Sequence, residues 1–115
     1  MNLQQIVNEL ALQVRSGRSA LNREVRRGYA SDLMSDVIAH GQEGDLWVTL
    51  HGHQNVVAVA AMKELAAVVL VNGREPEPDT LAKAGEQGLP LLVSELPAFE
   101  LIGRLHRLGL RGIAG

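Results

Sequence analysis

Apolar positions recur along the chain with two different periods. Leu3, Ile6, Val7 and Leu10 fall at i, i+3, i+4 and i+7, which predicts a short amphipathic helix. The stretch "LQVRSG" then reads as a brief strand closed by Gly17. Residues 23–27 read as a strand or extended arm, with Gly28 marking a bend or bulge. In "SDLMSDVIAHG", Ser31 or Asp32 is positioned to N-cap a helix whose apolar stripe is Leu33, Met34, Val37 and Ile38. Gly41 fits its C-terminal stop.

A regular rhythm follows. "DLWVTL", "AAVVLVN" and "LPLLVSE" are short aliphatic runs that start at 45, 66 and 89. The helical patterns "NVVAVAAMKEL", "DTLAKAGEQG" and "PAFELIGRLHRLGL" lie between and after them. Strand alternating with helix predicts parallel pairing through right-handed crossovers. "AAVVLV" has no polar alternation, so its strand is expected to be buried on both faces. The fold class is therefore α/β, a three-layer domain with a mostly parallel central sheet, and the whole of 1–115 reads as one domain.

The helix at "NVVAVAAM" (55–62) is apolar on every side and needs cover all round. A sheet covers only one of its faces. A second copy of the chain is the expected cover for the other, with Ala58, Ala60 and Ala61 allowing close approach, so a homodimer is predicted; the alternative is a monomer in which the N-terminal segment covers this helix.

Composition narrows the function. Hydrophobic residues are 46% of the chain, enough for a folded core, but aromatics are only 3%. Stacking platforms for single-stranded nucleic acid are thus not expected. A net charge of −2 supplies no basic field for nucleic acid or anionic membrane. With no cysteine, disulfides, thiolate nucleophiles and Cys-based zinc sites are excluded. "MNLQQIVNEL" lacks the pattern of a signal peptide, and no apolar run is long enough to span a bilayer, so a cytoplasmic location is expected.

In an open parallel sheet, ligands bind beyond the carboxyl ends of the strands. Here those ends are "HGHQN", "NGREPEP" and "SELP", and they contribute His51, His53, Gln54, Asn55, Asn72, Arg74 and Ser94 as candidate ligand-binding residues. Helix N-termini follow each loop and offer N–H groups to an anion. His51 and His53 have the spacing of a metal pair, but no acidic residue lies near them in sequence as a third ligand, so no metal is assigned. The basic run Arg15, Arg18, Arg23, Arg26 and Arg27 reads as a solvated face more readily than as a phosphate clamp. Neither Lys63 nor Lys83 follows a glycine, so there is no P-loop, and no catalytic triad or cofactor motif is present. A non-catalytic protein with no cofactor is expected, with a metal-dependent hydrolase on His51 and His53 as the remote alternative.

Several landmarks occur in order: Gly28-Tyr29, Ser31-Asp32, Ser35-Asp36-Val37, Gly44-Asp45-Leu46, Asn72-Gly73 and Phe99-Glu100. On these the chain resembles the DRTGG domain family in its stand-alone form, over nearly its whole length. The resemblance implies a fold like the N-terminal domain of HPr kinase/phosphorylase and, more distantly, the first domain of Mur ligases. It also implies a regulatory, nucleotide-sensing or dimer-forming module. Relatives tend to read Val-Thr-Gly-Gly-Tyr where this chain has Val25-Arg26-Arg27-Gly28-Tyr29, which weakens any backbone-mediated ligand contact at position 27. The expected function is thus a homodimeric sensing module that binds a nucleotide or other anionic ligand at the strand ends. The alternative is a protein-interaction subunit with no small ligand.

Overall fold

The structure is a computed structural model that describes residues 1–113. Its elements run α1 (Leu3–Leu10), β1 (Gln13–Ser16), a 3-10 turn (Arg18–Ala20), β2 (Arg27–Ala30), α2 (Met34–His40) and β3 (Asp45–Thr49). Then come α3 (Asn55–Met62), β4 (Ala67–Leu70), α4 (Pro78–Gln87), β5 (Leu91–Val93) and α5 (Ala98–Leu108). The five strands form one sheet in the order β1-β5-β4-β3-β2. Strands β2 to β5 are parallel, and β1 closes one edge antiparallel to β5.

Side-chain alternation along the strands sorts the core into two layers. Leu46, Val48, Ala67, Val69 and Leu92 face α1 and α5. Trp47, Val68, Leu70 and Leu91 face α2, α3 and α4. Every residue of β3, β4 and β5 is buried, as strands covered on both sides must be. The predicted three-layer α/β arrangement with a mostly parallel sheet is the observed one.

Two local expectations need correction. Of the strand or extended arm predicted at 23–27, the strand is displaced to Arg27–Ala30, and Gly28 lies inside it and makes no bend. Residues 27–30 pair in register with 45–48, whereas Glu24 makes only an isolated bridge to Asn2. The Gly28 N–H donates to the Arg111 carbonyl at 2.9 Å, and a Cβ there would meet the Leu110 side chain only at ordinary contact distance, 3.4 Å. Neither Ser31 nor Asp32 caps α2, because the N-cap position is Leu33, with no side-chain cap. Ser31 Oγ instead accepts from Leu33 N–H, and Asp32 turns toward β3.

The helix expected to need cover on all sides is α3, and α2 and α4 flank it. Val56, Val57, Val59 and Ala60 are buried on the sheet, while Ala58, Ala61 and Met62 face outward. Met62 is 59% exposed.

β2 and β3 are joined at their first pair of residues by a buried ion pair. Asp45 has no exposed surface and accepts from Arg27 Nε at 2.6 Å and Nη2 at 2.9 Å, and from the Gln42 N–H at 2.8 Å. The same guanidinium donates to the His40 carbonyl at 2.7 Å and stands 5.8 Å from the Tyr29 ring centroid. Arg27 therefore does what glycine could not do at that position. Removing one partner of a buried pair leaves the other charge uncompensated. Asp45→Asn is expected to lower stability by roughly 2–4 kcal/mol, a fall in melting temperature on the order of 10 °C. Thermal unfolding followed by circular dichroism checks this, and an unchanged melting temperature contradicts it.

Candidate functional site

The carboxyl ends of β2, β3, β4 and β5 open on one edge of the sheet because the four strands are parallel. Hydrogen bonds weld the loops that leave them into a continuous rim. Asp32 Oδ1 accepts from the Thr49 hydroxyl and from Leu50 N–H, both at 2.8 Å, which ties the exit of β2 to the exit of β3. The Trp47 indole N–H donates to the Ser31 carbonyl at 2.8 Å and reinforces that tie from the core side. The Gly52 carbonyl accepts from Glu77 N–H at 3.1 Å and from the Thr80 hydroxyl at 2.6 Å, joining the loop after β3 to the start of α4. Asn72 N–H donates to the Leu96 carbonyl and Gly73 N–H to the Ser94 carbonyl, joining the loops after β4 and β5.

All seven predicted residues stand on this rim, but they do different things there. His51, Asn55, Asn72 and Arg74 are exposed, and Gln54 is half-buried. Among the described residues, their side chains make no hydrogen bond or ion pair. His53 Nδ1 accepts from Asn55 N–H at 3.1 Å, so the neutral ring carries its proton on Nε2 as a donor. Ser94 is buried, and its hydroxyl accepts from Leu96 N–H at 3.1 Å, which makes it part of the turn. The start of α3 is less open to an anion than expected. Asn55, Val56 and Val57 donate their N–H groups to His53 Nδ1, the His53 carbonyl and the Gln54 carbonyl.

The electrostatics of the rim are mixed. Arg15 reaches it from β1 and clasps Glu75 with two 2.7 Å contacts. That bond holds the Glu75 carboxyl below its ordinary range. Arg74 carries its charge without such a partner among the described residues, and Glu77 and Glu95 are exposed on the same loops. The rest of the basic run lies elsewhere. Arg23 and Arg26 belong to the opposite edge, where Arg26 pairs with Glu43 at 3.1 Å, and Arg27 belongs to the core pair with Asp45.

Three hollows in the surface lie away from the rim. A cleft of about 470 Å³ opens at the amino edge of the sheet, lined by Arg23, Arg26, Glu43, Ala61, Glu64 and Gln87 among others. A small apolar hollow of about 100 Å³ lies between β2 and α5, beside Ile102 and Leu110. A shallow one of about 670 Å³ runs between α1 and the 3-10 turn. No helix among the described residues is long and apolar enough to cross a membrane.

Comparison with known proteins bears on the fold. No protein-family model matches the sequence, and no curated protein matches it. A solved structure is similar: the CBS and DRTGG domains of the regulatory region of Clostridium perfringens pyrophosphatase, complexed with the activator diadenosine tetraphosphate. The TM-score is 0.69 at 10% sequence identity. The match covers 89% of this chain and 44% of that one, so the chain spans less than half the length of the structure it matches. The chain has a DRTGG-like α/β fold, as the sequence resemblance implied.

The flank of the rim carries a titratable hydrogen bond. Tyr29 on β2 donates its phenol to Asp36 of α2 at 2.8 Å. This bond holds the Asp36 carboxyl below its ordinary range and the Tyr29 phenol above its own. A depressed carboxyl adds stability above its unfolded pKa that is lost as pH falls through the folded value. A raised phenol adds stability below its unfolded pKa that is lost as pH rises through the folded value. Tyr29→Phe is therefore expected to lower the melting temperature by a constant amount between about pH 5 and pH 9, shrinking below about pH 4 and above about pH 10. Melting temperatures of both proteins across that range check this. A difference that persists unchanged at pH 2 contradicts it.

Proposed function

We propose that this chain is a non-catalytic, ligand-sensing regulatory module that binds a nucleotide or another anionic small molecule at the carboxyl rim. The observation that carries the reading is the likeness of its fold to a regulatory region solved with a nucleotide activator. The rim supports it with side chains that have no other employment. Arg74 supplies the unpaired positive charge, and His51, the Nε2–H of His53, Gln54, Asn55 and Asn72 supply donors and acceptors around a base or sugar. Arg15 neutralises Glu75 and so keeps one carboxylate from opposing the ligand. Ser94 acts indirectly, by fixing the turn that holds Asn72 and Gly73 in place.

A second reading rests on one specific side chain. Phe99, in the first turn of α5 and on the same edge as the rim, is 91% exposed. An aromatic ring in that position suits an anchor for a protein partner, with the rim loops as the polar surround. In that case the module has no small ligand.

Thermal shift with ATP, UTP and diadenosine tetraphosphate separates the two. Ligand at about 100 times its Kd adds roughly 2.7 kcal/mol, or on the order of 10 °C. Arg74→Ala and Asn55→Ala are expected to remove the shift without changing the unliganded melting temperature. No shift with any nucleotide contradicts the sensing reading and leaves the interaction reading.

The module is proposed to act as a homodimer through the helical layer of α2, α3 and α4. Leu33, Ile38, Met62 and Leu81 are large apolar residues exposed on those helices, and Ala58 and Ala61 allow a close approach over α3. Sedimentation of the wild-type chain is expected to give a dimer and that of Met62→Glu a monomer. A monomeric wild-type chain contradicts this assembly.

A further inference from the structure

The cleft at the amino edge of the sheet is a separate feature from the rim, and its chemistry is specific. Its floor is apolar, formed by Ala60, Leu65, Ala66 and Leu89. Four of the charges around it cancel in pairs: Glu24 takes the N-terminal ammonium, and Glu43 takes Arg26. Two opposite charges remain. The half-buried Arg23 guanidinium reaches only backbone carbonyls, Ala66 at 3.3 Å and Gly88 at 3.4 Å, and has no carboxylate partner among the described residues. Most of its five N–H donors are unspent. The Glu64 carboxylate likewise makes no hydrogen bond or ion pair among the described residues.

Glu64 holds a further clue. It follows the C-cap of α3 with φ +55°, in the left-handed region where helices usually place glycine or asparagine. A side chain with a Cβ is disfavoured there by roughly 1 kcal/mol, so glycine would fit this backbone at least as well. The carboxyl ends of α3 and α4 also converge on the cleft: Arg23 holds the Gly88 carbonyl at the end of α4, and the dipole of α3 favours a cation beside Glu64. At about 470 Å³ the space is within the usual size of a small-molecule site.

We propose that this cleft binds a small zwitterion of the amino-acid class. Its carboxylate lies on Arg23, its ammonium lies on Glu64 at the end of α3, and an apolar side chain rests on Ala60, Leu65 and Leu89. The ligand, the edge of the sheet and the residues all differ from those of the nucleotide reading, so either stands if the other fails.

Isothermal titration with each free natural amino acid, up to roughly 10 mM, tests the site. At least one aliphatic amino acid is expected to bind. Its N-acetyl and carboxamide derivatives are each expected to bind at least about tenfold more weakly, because each removes one of the two charges. Arg23→Gln and Glu64→Gln are expected to weaken binding by a similar factor. Glu64→Gly removes the carboxylate while relieving the left-handed backbone, so its loss of binding is not a loss of fold. The proposal is overturned if no amino acid binds, if the blocked derivatives bind as well as the free ones, or if binding survives both the Arg23 and Glu64 substitutions.

Discussion

Asp45 holds a carboxylate at the head of β3 with none of its surface exposed. A lone charge in that setting is unfavourable by several kcal/mol unless it is paired and hydrogen-bonded. Arg27 and the Gln42 amide supply that pairing, and they can do so only when β2 lies beside β3 in the observed register. The ion pair thus acts less as a source of stability than as a constraint on alignment. A slip of one residue would turn Arg27 away from Asp45 and reverse the faces of Gly28 and Tyr29. With β2 fixed, Ser31 comes under the Trp47 indole and Asp32 meets Thr49 and Leu50. The first link of the rim follows from the pair in the core.

The two edges of the sheet have opposite characters, and parallel strands are the reason. At the carboxyl edge, backbone carbonyls and amides from successive loops satisfy one another, so the loops form one connected rim. Of the polar side chains there, His51, Gln54, Asn55, Asn72 and Arg74 make no hydrogen bond or ion pair among the described residues. At the amino edge, turns that precede β3 and β4 meet the carboxyl ends of α3 and α4. Small residues, Gly44, Ala60, Ala61 and Ala66, leave a hollow between them. A rim built from several linked loops suits a ligand that bridges them or a partner surface. A hollow with one unmet charge of each sign suits a compact molecule.

Much of this was legible in the sequence, for physical reasons that can be named. The runs 45–50, 66–72 and 89–95 announce strands buried on both faces because nothing polar interrupts them. Their common direction follows from the helices between them, and so does the shared edge. β2 escaped because Arg27-Gly28-Tyr29-Ala30 has neither an apolar run nor an alternating one. Its strand character comes from its neighbours, the Asp45 pair and the Arg111 carbonyl, which are distant in sequence. Asp32 looked like a cap because Asp before a helix usually is one, but its partners lie seventeen and eighteen residues on. Ser94 stood out because it ends a strand, and what the sequence does not show is that its hydroxyl accepts from Leu96 N–H within its own turn. The amino-edge cleft had a faint signal: Glu43-Gly44 and Lys63-Glu64 precede consecutive parallel strands and must therefore meet at one edge.

The account rests most heavily on the carboxyl rim as the place where this fold receives a ligand. Backbone amide chemical shifts recorded during a titration with diadenosine tetraphosphate address that directly. The account predicts saturable shifts confined to residues 51–55, 72–75 and 94–96, with the amides around Arg23, Gly44 and Glu64 unmoved. An unchanged spectrum, or shifts that map only to the opposite edge, would contradict it.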